Sequence, residues 1–308
     1  MCGRAAQSGA VVQAAANELG VSRFQDPRAA SHPDLPTDNY NMSPGMDALV
    51  FWNDATSSRI QVDRKVWGLV PRHGTVNHPL PKGMGLHFSN LMFNARADTL
   101  YDKPTFAKLV KEGKTCVVAL DGFFEWKSEL KGKKQPYFVY RKGGPCLLMA
   151  GLWTSVPTGR AKDPTLDTFT IITTDACPSL QWLHTRMPVS IWDEKTAVQW
   201  LLHPSRKLHE RLDEEARKAP EGLLDWHAVT PDMSNMKYRS KDAMKSLPKV
   251  KTLDSFFGPK KGDSPSVKRK STSTPSTTAS ASPEKKPRTS STPKKGSITS
   301  FFSPKKKS

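Results

Sequence analysis

Five short apolar runs, punctuated by glycine, lysine and proline, commit this chain to a sheet before any other feature is considered. They cover residues 65–70, 116–126, 136–141, 146–153 and 169–174. Each is rich in valine, isoleucine or aromatic residues and is bounded by turn formers, the pattern of strands rather than helices. The links Lys131-Gly132-Lys133-Lys134 and Lys142-Gly143-Gly144 are too short for a parallel crossover, which needs about a dozen residues or more. They predict an antiparallel meander through the middle strands. Helical patterns fall at 10–19, 104–112, 194–202 and 209–218, the third with Asp193 as its cap and Ala197, Val198, Trp200 and Leu201 as its apolar residues. The expected class is α+β, a single domain built on antiparallel β-sheet with flanking helices.

That pattern stops near residue 248. Residues 1–248 read as the folded domain. Residues 249–308 are Ser, Thr, Pro and Lys, which bury too little apolar area to offset chain entropy, so a disordered tail is expected. This segment holds 15 of the 47 Lys and Arg but 3 of the 29 Asp and Glu, and carries +12 of the chain's net +18. Such a tail is drawn to polyanions, of which nucleic acid is the commonest. The cysteines Cys2, Cys116, Cys146 and Cys177 lie far apart, with no CxxC and no zinc spacing. Reduced thiols, an intracellular setting, and no metal or cofactor are expected. There is no signal-peptide pattern and no apolar run of about 18 residues, so no membrane span is expected. With no oligomerisation signal, a monomer is the default.

The sharpest chemical feature is the start, Met1-Cys2-Gly3-Arg4. Methionine before a residue as small as cysteine is normally removed. Cys2 would then carry a free α-amine (pKa about 7.7–8.0) and a thiol (about 8.5) on adjacent carbons. An aldehyde can form an imine with that amine, and the thiol can close the imine to a thiazolidine. No internal cysteine can do this. Other segments resemble parts of a site. Phe93-Asn94-Ala95-Arg96-Ala97-Asp98 offers a guanidinium for phosphate. Asp121-Gly122-Phe123-Phe124-Glu125-Trp126 sets Glu125 among aromatics, where desolvation tunes a carboxyl for proton transfer. Leu183-His184-Thr185-Arg186-Met187-Pro188 places a histidine acid/base beside an arginine. Tyr40-Asn41-Met42-Ser43-Pro44-Gly45 and Trp67-Gly68-Leu69-Val70-Pro71 supply rigid or flat apolar pieces able to stack on bases. Singly, each has an ordinary alternative. Glu125 can be a surface carboxylate, His184 a structural histidine, Arg96 half of an ion pair, and Trp67 a core residue.

Taken in this order, the six motifs CGR, N-x-SPG, WGLVP, NARAD, DGFFEW and LHTRMP resemble the SRAP family over roughly residues 2–230. The resemblance implies a compact antiparallel-sheet fold with a positively charged DNA channel. It also implies covalent capture of abasic sites in single-stranded DNA, particularly at replication forks. By the same resemblance Cys2 supplies the amine and thiol, Glu125 positions the amine and moves protons, His184 assists opening of the sugar ring, and Asn94 places Cys2 and the sugar. Arg4, Arg96 and Arg186 match phosphate-contacting arginines, and Pro44 and Trp67 match residues that shape the path of the bases. The sequence departs from many members at Pro71-Arg72-His73-Gly74, where an aromatic shortly after the proline is common. Two readings from other classes stay open: a cysteine peptidase with Cys2 as nucleophile and His184 as base, as the family name suggests, and a non-catalytic reader of modified bases.

The tail repeats itself. Leu253, Phe256 and Phe257 recur as Ile298, Phe301 and Phe302 with the same spacing. Each copy resembles a sliding-clamp (PCNA) interaction peptide, with Val250 or Lys295 where a glutamine is usual. Two copies on one tether raise effective concentration on a trimeric clamp. Lys268-Arg269-Lys270 and Lys285-Lys286-Pro287-Arg288 resemble nuclear-import patches, so a nuclear location is expected. Ser264, Thr274, Ser282, Thr292 and Ser303 precede proline, where phosphate would lower the tail's charge.

Overall fold

The computed structural model describes residues 2–21, 38–54, 56–71, 92–129, 132–158 and 164–248. The tail motifs at 250–257 and 295–302 and the loop after Pro71 lie outside the described residues. In chain order the strands are β1 (Ala5–Gln7), β2 (Asn39–Met42), β3 (Asp47–Asp54), β4 (Arg59–Trp67), β5 (Asn94–Arg96), β6 (Thr115–Leu120) and β7 (Gly122–Ser128). They continue with β8 (Lys134–Arg141), β9 (Leu147–Pro157), β10 (Thr165–Asp175), β11 (Arg186–Pro188), β12 (Ser190–Ile191) and β13 (Leu224–Ala228). The helices are α1 (Gly9–Glu18), α2 (Pro104–Lys111), α3 (Glu194–Leu202) and α4 (Arg206–Arg217).

Two sheets carry the fold. One runs β13-β8-β7-β1-β2. In the other, β10 pairs with both β4 and β9, and β4-β3-β6-β9 completes the circuit, so five strands close into a barrel with β5, β11 and β12 on its margins. Closure removes the sheet's open edges. β6 is buried at every residue. Its outer side is covered in part by α3, because Thr115 Oγ1 donates to the Trp200 carbonyl (2.8 Å) and Trp200 Nε1 donates back to that of Cys116 (3.2 Å). A strand covered on both faces reads as a continuous apolar run without alternation.

All four helices lie where the sequence places them, to within a few residues. Their starts are set by side chains. Ser8, Asp193 and Ser205 accept hydrogen bonds from the backbone N–H of Val11, Thr196 and Leu208, while α2 begins with proline, whose missing N–H costs nothing there.

Three expectations for the strands are corrected. The run 116–126 is two strands in different sheets, broken at Asp121. That carboxylate accepts from the Ser8 backbone N–H (2.6 Å) and from Ser8 Oγ (3.0 Å), so it anchors the start of α1 instead of continuing a strand. Gly122 makes the break possible, because a Cβ there would lie 2.3 Å from the Val139 carbonyl oxygen. The meander also ends early. β7 and β8 form a hairpin, but the Lys142–Gly144 link carries the chain from β8 to β9 in the other sheet. Finally, the barrel is not wholly antiparallel, since β10 runs parallel to β4 and to β5.

Candidate active site

The site forms because strand register brings distant motifs to one place. β1 lies antiparallel to β7 with Ala5 opposite Phe123, and the Phe124 N–H donates to the Arg4 carbonyl (2.9 Å). Continuing that ladder toward the start of the chain runs residues 2–4 alongside Glu125. β5 lies along β10 with Asn94 at Ile171, and β11 pairs with the end of β10, with Arg186 opposite Asp175. Thus one strand of the barrel delivers both the NARAD and the LHTRMP segments to the start of β1 and its neighbour β7 in the five-stranded sheet.

Cys2 is fully buried. Its carbonyl accepts from Asn94 Nδ2 at 2.9 Å, so Asn94 fixes the backbone of the reactive residue. The other atom of that amide, Oδ1, is buried and has no hydrogen-bond partner among the described residues. An acceptor left open beside Cys2 suits a hydroxyl of an incoming ligand, since buried polar atoms are normally satisfied. Glu125 is also buried, at 5% exposure. Burial pushes its carboxyl above the usual range, and His184 works against that rise. Burial likewise pushes the Cys2 thiol up, and the Glu125 charge adds to it, while the Arg4 N–H opposes. The thiol is therefore held protonated.

His184 sits in the turn before β11, a third exposed, with Nδ1 3.9 Å from Glu125 Oε1. The Arg186 N–H donates to that Nδ1 (3.0 Å), so in the neutral ring Nε2 carries the proton. A buried carboxyl with raised pKa beside a half-open imidazole can pass protons to and from the space at Cys2.

The expected phosphate-binding arginines divide into three kinds. Arg96 is 59% exposed and forks onto Asp98 through Nε at 3.0 Å, at the mouth of the site. Arg186 is mostly buried and committed to the Thr173 carbonyl (2.7 Å) and Asp175 (2.8 Å), with Asp98 at 3.6 Å. Arg4 is half-buried, bonded to Asn41 Oδ1 (2.6 Å) and to the carbonyls of Met233 and Ser234, and it lies over the Trp126 ring. In this structure Arg186 and Arg4 hold the site's walls, and Arg96 presents the accessible guanidinium. Asn41, the first residue of the N-x-SPG motif and completely buried, is a positioning residue to which the motif itself assigns no role; its amide also donates to the carbonyls of Met233, Asn235 and Tyr238.

Trp67 requires a correction. It is fully buried, donates Nε1–H to the Phe93 carbonyl (2.9 Å) and stacks on Phe169. Its indole has no face open to a base. Instead its backbone secures the turn that carries Pro44, itself buried: the Gly45 N–H donates to the Trp67 carbonyl (2.6 Å), with Gly45 at φ +89°, a conformation suited to glycine.

Comparison with known proteins gives the family. The family model described as SOS response associated peptidase (SRAP) matches residues 1–236. The chain is 31% identical to the abasic site processing protein HMCES of Xenopus tropicalis over 53% of this chain and 53% of that protein. It is 29% identical to the mouse protein of the same name over 69% and 66%. The abasic site processing protein YoqW of Bacillus subtilis is 33% identical over 60% of this chain and 73% of its own length. The chain therefore spans between about half and two thirds of the vertebrate relatives it matches. In three dimensions, a protein from Bacteroides thetaiotaomicron superposes with a TM-score of 0.64 at 22% identity, covering 80% of this chain and all of that one, a likeness of fold.

Proposed function

The chain belongs to the SRAP family, and from that premise we propose that it captures abasic sites in single-stranded DNA covalently, through the amine and thiol of Cys2. The observation that carries this reading is the convergence of Cys2, Asn94, Glu125 and His184 from four separate segments. The named relatives process abasic sites, which supports the substrate class.

The chemistry follows from the groups present. Loss of Met1 frees the Cys2 amine. An abasic deoxyribose opens to an aldehyde, with His184 relaying the ring-opening proton. The amine nitrogen adds to C1′, and the resulting carbinolamine loses its hydroxyl as water, Glu125 carrying the remaining N–H proton to the departing oxygen and leaving a neutral imine. The Cys2 sulfur then adds to the C=N carbon, the S–H proton passes by way of Glu125 to the nitrogen, and a thiazolidine closes. If the thiol fails to close the ring, the imine can drain by β-elimination and cut the strand, which is a lyase reaction.

A cysteine peptidase would use Cys2 as a thiolate. Burial and the Glu125 charge hold this thiol protonated, the reverse of an activated nucleophile. The test is denaturing electrophoresis with single-stranded DNA bearing one abasic site. Protein freed of Met1 is expected to give a heat-stable shifted band. A variant that keeps one extra residue before Cys2 should give none, because the amine is then an amide. An equal band from that variant would overturn the amine mechanism, whereas peptidase activity would tolerate it.

The finer setting is also proposed: action at replication forks in the nucleus, with the tail recruiting a sliding clamp through Leu253, Phe256, Phe257, Ile298, Phe301 and Phe302. Changing all four phenylalanines to alanine is expected to abolish clamp pull-down without reducing capture of naked DNA. Undiminished pull-down would remove the clamp from the proposal.

A further inference from the structure

The sheet face that carries Glu125 does not end there. Side chains alternate across a strand, so Lys127 shares that face on β7. The β7–β8 register sets Tyr137 directly opposite Glu125, and the β8–β13 register sets Trp226 opposite Val139, on the same side. Trp182, two residues before His184, packs against this row. Its ring meets Tyr137 edge-on (centroids 4.9 Å, 85°) and Trp226 at a tilt (5.6 Å, 46°). Lys127 Nζ lies 4.8 Å from the Trp182 ring centroid. All four residues are partly exposed. The indole N–H of Trp182 has no acceptor among the described residues.

We propose that Tyr137, Trp182 and Trp226, with Lys127, form a stacking subsite for the unpaired base next to the abasic sugar. This rests on the reading of the Cys2 site as an abasic-site trap. A strand whose sugar reaches Cys2 must carry its neighbouring base past His184, and Trp182 stands there. Aromatic faces accept any base, while an ammonium over such a face is held by the ring's quadrupole. An arriving base takes the face that Lys127 covers, and the released ammonium turns to the adjacent phosphate. The site thus reads the presence of a base beside the gap, not its identity.

Binding of a stable tetrahydrofuran analogue, which cannot open to an aldehyde, isolates this subsite from the covalent step. Two single-stranded oligonucleotides are compared by fluorescence anisotropy, one with natural bases flanking the analogue and one with the flanking bases also replaced by it. Wild type is expected to favour the first by roughly five-fold or more. Trp182→Leu, which fills the space without a π face, should bring the ratio close to one, and Trp182→Phe should keep most of it. Lys127→Ala should keep the base preference but lower the log–log salt slope by about 0.7, the loss of one phosphate contact on a single strand. A wild-type ratio of one, or a ratio unchanged in Trp182→Leu, overturns the subsite; an unchanged salt slope in Lys127→Ala overturns the role of the lysine. Crosslinking of a true abasic oligonucleotide by the same preparations separates the two ideas: base preference without crosslinking sinks the trap and leaves the subsite standing.

Discussion

Cys2→Ser is expected to lose the heat-stable adduct while still forming the imine. The amine is untouched by the substitution, so the aldehyde can still condense with it, and borohydride should trap that imine at a yield near wild type. The second step suffers, because a hydroxyl is a far weaker nucleophile than a thiol; the stable adduct should fall by at least about ten-fold. The stranded imine then drains by β-elimination, so cleaved DNA should rise as the adduct falls. The thiol's position explains why wild type favours closure: Cys2 is buried against Glu125, which can take the S–H proton as the C–S bond forms. Quantifying adduct and cleaved strand in one gel decides the matter. A serine variant with as much heat-stable adduct as wild type would show that the thiol is not what closes the link.

Glu125→Gln is expected to slow capture by roughly 10²- to 10⁴-fold, the usual worth of a positioned general acid–base group. The same change should not destabilise the fold at neutral pH. Burial raises the Glu125 carboxyl above its ordinary value, so the folded state binds its proton more tightly than the unfolded chain does. In the pH range between the two values the folded state holds more proton than the unfolded one, and stability falls as pH rises through that range. Above that range wild type carries the full cost of titrating a buried carboxyl, a cost that glutamine lacks; in acid, where both states are protonated, the difference disappears. Thermal melting should therefore show Glu125→Gln at or above wild type at pH 7 and level with it near the bottom of the carboxylate range. A variant that melts well below wild type at pH 7 would mean that the glutamate is held for structure, not for chemistry. Stability given up at a reactive residue is the pattern of an active site.

Local signals in the sequence proved reliable, and non-local ones did not. The Asp193 cap acts over three residues, so α3 stands where the sequence places it, whereas the Ser205 cap, which carried no signal of its own, starts α4 three residues before the expected position. The switch of sheets at Asp121 is not, because a run buried on both faces looks the same whether it continues or turns. What decides it is Ser8, more than a hundred residues away, claiming the carboxylate. The motifs named Cys2, Asn94, Glu125 and His184 individually, but only pairing of β1 with β7 and of β5 and β11 with β10 makes them neighbours. Trp67 illustrates the opposite case. An aromatic in a motif resembles a binding surface, and its burial against Phe169 assigns it to the core. Tyr137, Trp182 and Trp226 carried no motif at all; their grouping depends on register across three strands.

The most direct measurement is the mass of the peptide joined to DNA. Wild-type protein without Met1 is reacted with single-stranded abasic DNA, alkylated with iodoacetamide, and digested with protease and nuclease. The expected species is the peptide beginning at Cys2 plus the sugar fragment less one water, with no alkyl group on its sulfur, because ring closure has consumed the thiol. Attachment to any other residue, or a Cys2 peptide that carries both the sugar and an alkylated sulfur, would contradict the thiazolidine link.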